Sequence, residues 1–283
     1  MENVMLHLNY VKKIAKIIYK IDCICREDLK KRKIVSERDY VSILLNFLRY
    51  PFGPFVNFSF VHAQTLQGKL EQKYGCDGII IFKYGNSYKI GMFEAKLIKD
   101  PWDSYVKKTG KSRFQSQIDR QKILIPEITV WEMFFNGYET NLTLDSKGST
   151  CVKSDLAFSY CKSYIRWTYK DLFKLLKDSF SSNSNRPLNL EQIIEEMFTR
   201  NIGKEIIYSD EGCTLYKDNK DIKIPLLKGE FNPYSADKID KFLRENKIFS
   251  YTHFDLDESE KFKTSNPLYE EVTPRIIIEK VIG

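Results

Sequence analysis

Residues 76–96 read CDGIIIFKYGNSYKIGMFEAK and predict a β-hairpin. Residues 78–82 form an apolar run rich in β-branched side chains, residues 84–87 have the composition of a turn, and residues 88–94 return as a second strand. With the turn centred between Gly85 and Asn86, Asp77 faces Glu94 across the hairpin. We expect the fold to be organised around this strand pair.

Two like charges that face each other across a strand pair repel, so the hairpin predicts a cation held by Asp77 and Glu94. Lys96 lies two residues beyond Glu94 and shares its face of the strand. The alternative is a solvated hairpin whose acids only pair with Lys96. The neighbouring isoleucines favour strands that are buried on both faces, where charges without a role are costly.

Asp77 followed by Glu94-Ala95-Lys96 resembles the D…(D/E)-x-K signature of the PD-(D/E)XK, or restriction-endonuclease-like, nucleases. Cys76 replaces the proline that precedes the aspartate in that family, and the resemblance covers residues 34–135. It implies Mg²⁺, with Mn²⁺ as a substitute, held by Asp77, Glu94 and the Ala95 carbonyl. It also implies that Lys96 orients or helps to deprotonate the attacking water.

Two helices next to the hairpin carry further candidates. Ser36 and Asp39 resemble a capping box that begins a helix at residue 37, and the family resemblance implies that Glu37 adds an acid to the metal site. The alternative is that Glu37 only interacts with the helix dipole. On the helix predicted at 113–124, the resemblance implies that Gln117 faces the site, the alternative being polar helix surface. Glu71 is a spare acid, expected in a loop.

The segment 98–113 predicts a long loop that contacts nucleic acid, because basic side chains attract phosphates and exposed aromatic rings can stack on bases. The candidates are Lys99, Trp102, Tyr105, Lys107, Lys108, Lys111 and Arg113. A solvated lysine-rich loop with one buried tryptophan is the alternative.

The order of elements predicts an α/β protein with a mixed central β-sheet flanked by helices and a smaller C-terminal α+β module. An amphipathic helix is expected at 5–24, a charged link at 26–33, and further strands at 55–61 and 129–135. The polar segment 181–187 divides a nuclease-like core, residues 1–180, from a module at 188–283 for target recognition, partner binding or dimerisation. The module's predicted strands are 205–209, 214–217, 222–226 and 276–281, with a helix at 236–246.

Composition is typical of a soluble globular protein. The net charge of +7 fits a polyanionic partner or simply a lysine-rich surface. Six cysteines without C-x-x-C spacing indicate free thiols in a reducing cytoplasm, and no apolar run reaches the ~18 residues of a membrane span. With only three histidines, the chain does not fit HNH-type nucleases or histidine-rich zinc hydrolases.

Together these features predict a metal-dependent DNA endonuclease, by family analogy in restriction or defence against foreign DNA, acting alone, as a homodimer or with a partner subunit. RNA is not excluded as the substrate. The alternatives are a catalytically silent nucleic-acid-binding or assembly subunit with a nuclease-like fold, and an RNA-directed or effector-gated nuclease.

Overall fold

The structure is a computed structural model that describes residues 2–49, 61–66, 68–84, 87–98, 101–107, 109–125, 128–136, 147–160, 166–178, 187–199, 206–209, 212–217 and 220–224. The helices are α1 Glu2–Lys30, α2 Glu37–Arg49, α3 Lys69–Tyr74, α4 Arg113–Gln121, α5 Ser154–Tyr160, α6 Tyr169–Asp178 and α7 Leu190–Thr199. The strands are β1 Val61–Thr65, β2 Gly78–Tyr84, β3 Ser87–Ile98, β4 Thr129–Asn136, β5 Thr150–Lys153, β6 Ile206–Ser209, β7 Gly212–Lys217 and β8 Lys220–Ile224.

Strands β1 to β5 form one mixed sheet in the order β1-β2-β3-β4-β5. All neighbours are antiparallel except β3 and β4, which are parallel. A parallel pair needs a crossover connection, and the segment that carries α4 supplies it. The prediction of an α/β protein with a mixed sheet flanked by helices is confirmed.

Both faces of the sheet are covered by apolar side chains. One face packs against α1, α2 and α7, with Ile80 and Phe93 among its buried residues. The opposite face packs against the residues of α3, α4, α5 and α6, with Ile79 and Ile81 among its buried residues. Isoleucines 79–81 are fully buried, so the predicted burial of this strand on both faces is confirmed.

The hairpin has the predicted register. Its pairing runs from Gly78 opposite Phe93 to Tyr84 opposite Ser87. Asp77 directly precedes the first pair, and its amide donates to the Phe93 carbonyl at 2.7 Å. Because β3 continues to Ile98, its last residues extend past the start of β2 and leave one edge of β3 without a neighbouring strand.

Two helices differ in how well the sequence predicts them. The capping box of α2 is confirmed, because Ser36 Oγ accepts from the Asp39 amide at 3.1 Å and donates to Asp39 Oδ2 at 2.7 Å. The predicted charged link at 26–33 is wrong, since α1 continues to Lys30. Arg26 is buried, with 3% exposure, whereas Lys30 to Lys33 are exposed. One turn earlier on α1, the buried Asp22 accepts from the Tyr40 hydroxyl (2.5 Å) and the Ser149 amide (2.6 Å).

The segment after the polar break returns to the core. Leu188 pairs with Cys151, and α7 buries Leu190, Ile193 and Ile194 in the cluster shared with α1 and α2. Strands β6, β7 and β8 form a separate antiparallel sheet at the predicted strand positions. Where the C-terminal module begins stays a prediction, and the elements predicted at 236–246 and 276–281 lie outside the described residues.

None of the described helices is both long enough and apolar enough to cross a membrane.

Candidate active site

A cavity of about 240 Å³ lies where β1 ends and β2 begins. Four acidic side chains and one lysine line it: Glu37, Glu71, Asp77, Glu94 and Lys96. They come from α2, α3, the residue before β2, and β3. The structure therefore brings the hairpin motif together with both candidate acids outside it, although Glu71 lies on α3 rather than in the expected loop.

Carboxylates, rather than a strand, cover the exposed edge of β3. Asp77 Oδ2 accepts from the Ala95 amide at 2.8 Å, and Glu37 Oε1 accepts from the Leu97 amide at 2.9 Å. Alternate residues of a strand direct their amides to the same edge, so the two acids lie side by side along β3. Glu37 is thus hydrogen-bonded to β3, the strand that carries Glu94 and Lys96. An acid that only interacted with the dipole of its own helix would not need this bond.

Burial and crowding both act on Asp77. Burial raises the pKa of its carboxyl, and Glu37 and Glu71 raise that pKa further. Lys96 and the bond from the Ala95 amide oppose the increase without cancelling it. The cavity therefore has more negative charge than its one lysine can neutralise.

Glu94 is the most enclosed of these acids, with 1% exposure. Its Oε1 accepts hydrogen bonds from the Lys96 ammonium and the Gln117 side-chain amide, whereas its Oε2 is buried and has no hydrogen-bond partner among the described residues. Burial raises the pKa of Glu94 well above its usual range, Lys96 lowers it, and Asp77 raises it again. A buried carboxylate oxygen without a partner is costly unless a cation or a proton satisfies it.

Lys96 is 8% exposed and forms a buried ion pair with Glu94. Burial lowers the pKa of its ammonium, but Glu94, Glu37 and Asp77 raise it by more, so the net shift is upward. Lys96 is therefore charged at neutral pH. Of the two roles predicted for it, this favours orienting water and neutralising charge over accepting a proton.

Helix α4 places its glutamines against the sheet. Gln117 donates to Glu94, so it faces the site as expected, although it orients an acid rather than the lysine. Gln121 Nε2 donates to the Gly75 carbonyl at 2.7 Å, and its oxygen accepts from the Ser154 hydroxyl. The start of α4 is fixed by Ser112 Oγ, which accepts from the Gln115 amide at 3.0 Å and donates to the buried Asp103 at 2.7 Å.

We expect Gly75→Ala to destabilise the protein because α4 packs directly on the Gly75 backbone. Gly75 has φ +65°, and a Cβ there would lie 2.5 Å from the Gln117 carbonyl oxygen. Gly110 has nearly the same φ, +64°, but nothing lies within 4 Å of its Cβ position. Urea denaturation should show that Gly75→Ala costs about 1–3 kcal/mol more than Gly110→Ala. Equal losses would mean that the close approach contributes nothing.

Glu132, which was not predicted from the sequence, lies opposite Glu94 on the neighbouring parallel strand β4. It is fully buried, and among the described residues no donor makes a close, well-aligned hydrogen bond to either carboxylate oxygen, although the Gln121 side chain lies near enough to act on the carboxyl. Burial raises its pKa to about 8, with Lys96 and Gln121 offsetting part of the shift. The signal was present in the sequence: one glutamate within the apolar run 129–135 is costly in a strand buried on both faces.

The predicted nucleic-acid loop is only partly exposed. Trp102 is half-buried rather than free, because its ring packs edge-on against Phe114 and Trp167, with centroid distances of 5.1 and 6.1 Å. Tyr105 is 54% exposed. Lys107 and Arg113 are also exposed, Lys111 is half-buried, and Lys99 and Lys108 lie outside the described residues. The loop therefore keeps its basic surface, while its tryptophan belongs to the core.

The acids of the cavity are of the ligand type that binds a hard divalent cation. Within the described ranges, no group of three or more His, Cys, Asp or Glu side chains is arranged to hold a metal ion. Asp77, Glu37 and Glu94 each use one oxygen for a donor of the protein, and Glu94 Oε2 is left buried without a partner. Magnesium keeps several waters and takes substrate oxygens, so two carboxylates are enough for a site. The unpartnered oxygen and the raised pKa values are both consistent with such an ion.

The chain matches no protein-family model and no curated protein. What the site does is therefore inferred from its residues and their geometry.

Proposed function

We propose that this chain is a metal-dependent nuclease that hydrolyses phosphodiester bonds, with DNA as the expected substrate. The observation that carries the proposal is the cavity that collects Asp77, Glu94 and Glu37 around the buried Lys96. These acids are poorly explained as solvated side chains, because burial and, to a smaller extent, the neighbouring carboxylates raise the pKa values of Asp77 and Glu94.

The arrangement around the hairpin supports a restriction-endonuclease-like core as part of the proposal. An acid-bearing helix, α2, precedes the hairpin and reaches β3 through Glu37. A glutamine-bearing helix, α4, follows the hairpin and reaches Glu94 through Gln117. The resemblance to the PD-(D/E)XK nucleases implies an acid and a glutamine on these two helices that face the site, and the two contacts are consistent with that, although Gln117 bonds an acid rather than the lysine.

In this proposal Asp77, Glu94 and the Ala95 carbonyl would hold Mg²⁺ or Mn²⁺, with Glu37 as a further acid. When bound, the ion would lower the pKa of a coordinated water and stabilise the negative charge that develops at phosphorus. The protein fixes the direction of the acids: the Ala95 amide holds Asp77, and Gln117 holds Glu94.

Hydrolysis forms a bond from the water oxygen to phosphorus and breaks one phosphorus–oxygen ester bond. The attacking water loses a proton to solvent, and the leaving oxygen takes up a proton from solvent to become a hydroxyl group. Lys96 donates a hydrogen bond to Glu94 in this structure and stays charged at neutral pH. Its ammonium would orient the water and offset charge on the scissile phosphate, without taking the proton. Gln117 acts through Glu94 as a positioning residue.

The cellular role belongs to the same proposal: cleavage of foreign DNA in the cytoplasm, with residues 188–283 contributing recognition or a partner contact. Four described cysteines, Cys23, Cys25, Cys76 and Cys151, are buried thiols that form no disulfide with one another, which suits a reducing compartment.

The test is incubation of the full chain with supercoiled plasmid and with RNA, each in Mg²⁺, Mn²⁺ or EDTA. We expect plasmid cleavage with either metal and none in EDTA. Asp119→Asn is a suitable control variant, because Asp119 is an acid on the outer surface of α4 that pairs with Lys122. Binding of either nucleic acid without cleavage under any metal condition would favour the silent binding subunit instead.

A further inference from the structure

Two arginines line the same cavity as the acids: Arg38 and Arg113. Arg38 lies in the first turn of α2, next to Glu37, and Arg113 is the first residue of α4. Both side chains are exposed. Although four carboxylates line this cavity, no ion pair joins either arginine to an acid within the described part of the chain.

Arg113 occupies a position that is electrostatically unfavourable for the free protein, whereas Arg38 lies between two acids of its own helix, Glu37 and Asp39. The N-terminus of a helix has a partial positive charge, so a cation in the first turn is disfavoured and an anion is favoured. The first turn of α4 contains no acidic residue, and the Asp103 carboxylate at its start is buried and already accepts hydrogen bonds from Ser112 Oγ and the Phe114 amide. A cation placed there without a partner is a local cost, and such costs are typical of residues that are completed by a ligand.

The cavity therefore contains acidic groups at its base and basic groups at its rim, and the two would bind ligands of opposite charge. At its base, Glu94 is 1% exposed and has one oxygen without a partner, which calls for a cation. At its rim, Arg38 and Arg113 come from two helices on opposite faces of the sheet, and they call for anions. One cation would satisfy the base, and a single phosphate held through that cation would leave both arginines without a partner. A strand with successive phosphates would reach the base through the cation and each side of the rim directly.

We propose that Arg38 and Arg113 form a clamp that binds the phosphates on either side of the scissile one, so that the substrate is an internal phosphodiester of a polynucleotide strand. This inference rests on the proposed nuclease function. Arginine suits the role because its planar fork binds two phosphate oxygens at once and its charge does not titrate near neutral pH. The clamp makes a small diester with one phosphate a poor ligand.

The experiment measures binding apart from cleavage, using single-stranded oligonucleotides with one to six phosphates. The protein is the full chain with Asp77→Asn, in Ca²⁺. Affinity should rise from one phosphate to three or four and then level off. Arg38→Gln and Arg113→Gln added to this protein should each weaken binding of the longer strands about tenfold, lower the salt slope by about one, and leave the one-phosphate ligand unaffected.

Two further variants separate a clamp from general charge. Lys122→Gln removes a cation from the far end of α4, where Lys122 pairs with Asp119. This variant should leave both the affinity and the salt slope nearly unchanged. Arg38→Lys keeps the charge but not the fork, so it should recover the salt slope but only part of the affinity.

The outcomes distinguish the two proposals. Length-dependent binding that needs both arginines, in a protein that cleaves nothing, supports the clamp and overturns the nuclease. Metal-dependent cleavage by wild-type protein, with binding of all lengths unchanged in Arg38→Gln and Arg113→Gln, overturns the clamp and leaves the nuclease. Weakening that is equal for one phosphate and for six also overturns the clamp, because it would place the arginines at the scissile phosphate.

Discussion

Asp77→Asn should abolish metal-dependent cleavage, by on the order of a thousandfold or more, without lowering the stability of the metal-free protein. Asparagine keeps an oxygen that can accept from the Ala95 amide, as Asp77 Oδ2 does at 2.8 Å. It removes one negative charge from beside Glu37, Glu71 and Glu94, whose mutual repulsion costs free energy when no cation is bound. Activity is lost because a neutral amide oxygen is a weak ligand for a divalent ion.

The measurement has two parts: cleavage of plasmid at a series of Mn²⁺ concentrations, and melting curves in EDTA. Cleavage should be absent at every concentration, and the melting temperature should be equal to or higher than that of wild-type protein. Asp119→Asn, on the outer surface of α4, should keep wild-type activity and stability. If Asp77→Asn cleaved plasmid as fast as wild-type protein does, the hairpin acids would have no part in the mechanism.

Glu94→Gln provides a contrast that separates catalysis from folding. It should be equally inactive but less stable, because Glu94 is the nearest partner of the buried Lys96 ammonium. Removing one member of a buried ion pair leaves the other uncompensated, which costs about 3–5 kcal/mol in general. Glu37 and Asp77 also act on Lys96, so the loss should fall below that range. The double variant Glu94→Gln/Lys96→Met should recover stability but no activity.

The hairpin could be predicted from sequence because the information that specifies it is local. A turn at 84–87 between two apolar runs fixes which residues face each other, and the pairing of Gly78 with Phe93 has that register. The capping box of α2 is equally local, since Ser36 and Asp39 lie one helical turn apart. These short-range features were sufficient to bring Asp77, Glu94 and Lys96 together.

What the sequence could not provide depends on contacts between distant segments. The pairing of Glu132 with Glu94 requires the parallel crossover through α4, and no local pattern specifies the register of a crossover. In the same way, Arg26 was expected in a solvated link, yet it is buried, because α1 continues to Lys30 and packs into the core. Of the two arginines at the cavity rim, Arg113 was predicted as part of the basic loop, whereas Arg38 was not predicted, because its helix lies far from Arg113 along the chain.

Glu132→Gln should make the protein more stable at alkaline pH and change little under acid conditions. The pKa of Glu132 is about 8 in the folded state, against about 4.3 for a glutamate in the unfolded chain. Between these values the folded protein holds a proton that the unfolded chain has already released. Stability is therefore fully present below pH about 4, is lost as the pH rises, and stops falling above pH about 8.

A neutral glutamine of the same shape does not titrate. The variant should therefore keep the stability that wild-type protein loses when Glu132 titrates. At about 1.4 kcal/mol for each pKa unit, the advantage over wild-type protein at pH 8.5 has an upper limit of roughly 5 kcal/mol, and it should shrink towards zero near pH 4 to 5. Other buried acids, Glu94 among them, affect both proteins, so the difference between the two curves isolates Glu132.

The measurement is urea denaturation in EDTA from pH 5 to 9, with Glu27→Gln as a matched control because Glu27 is an exposed acid of α1 that pairs with Lys30. The control should stay parallel to wild-type protein over the whole range. Glu132→Gln should diverge from it steadily up to pH about 8. Parallel curves for Glu132→Gln would mean that the carboxyl of Glu132 finds a partner when folded, and that its two oxygens do not carry the cost that their burial implies.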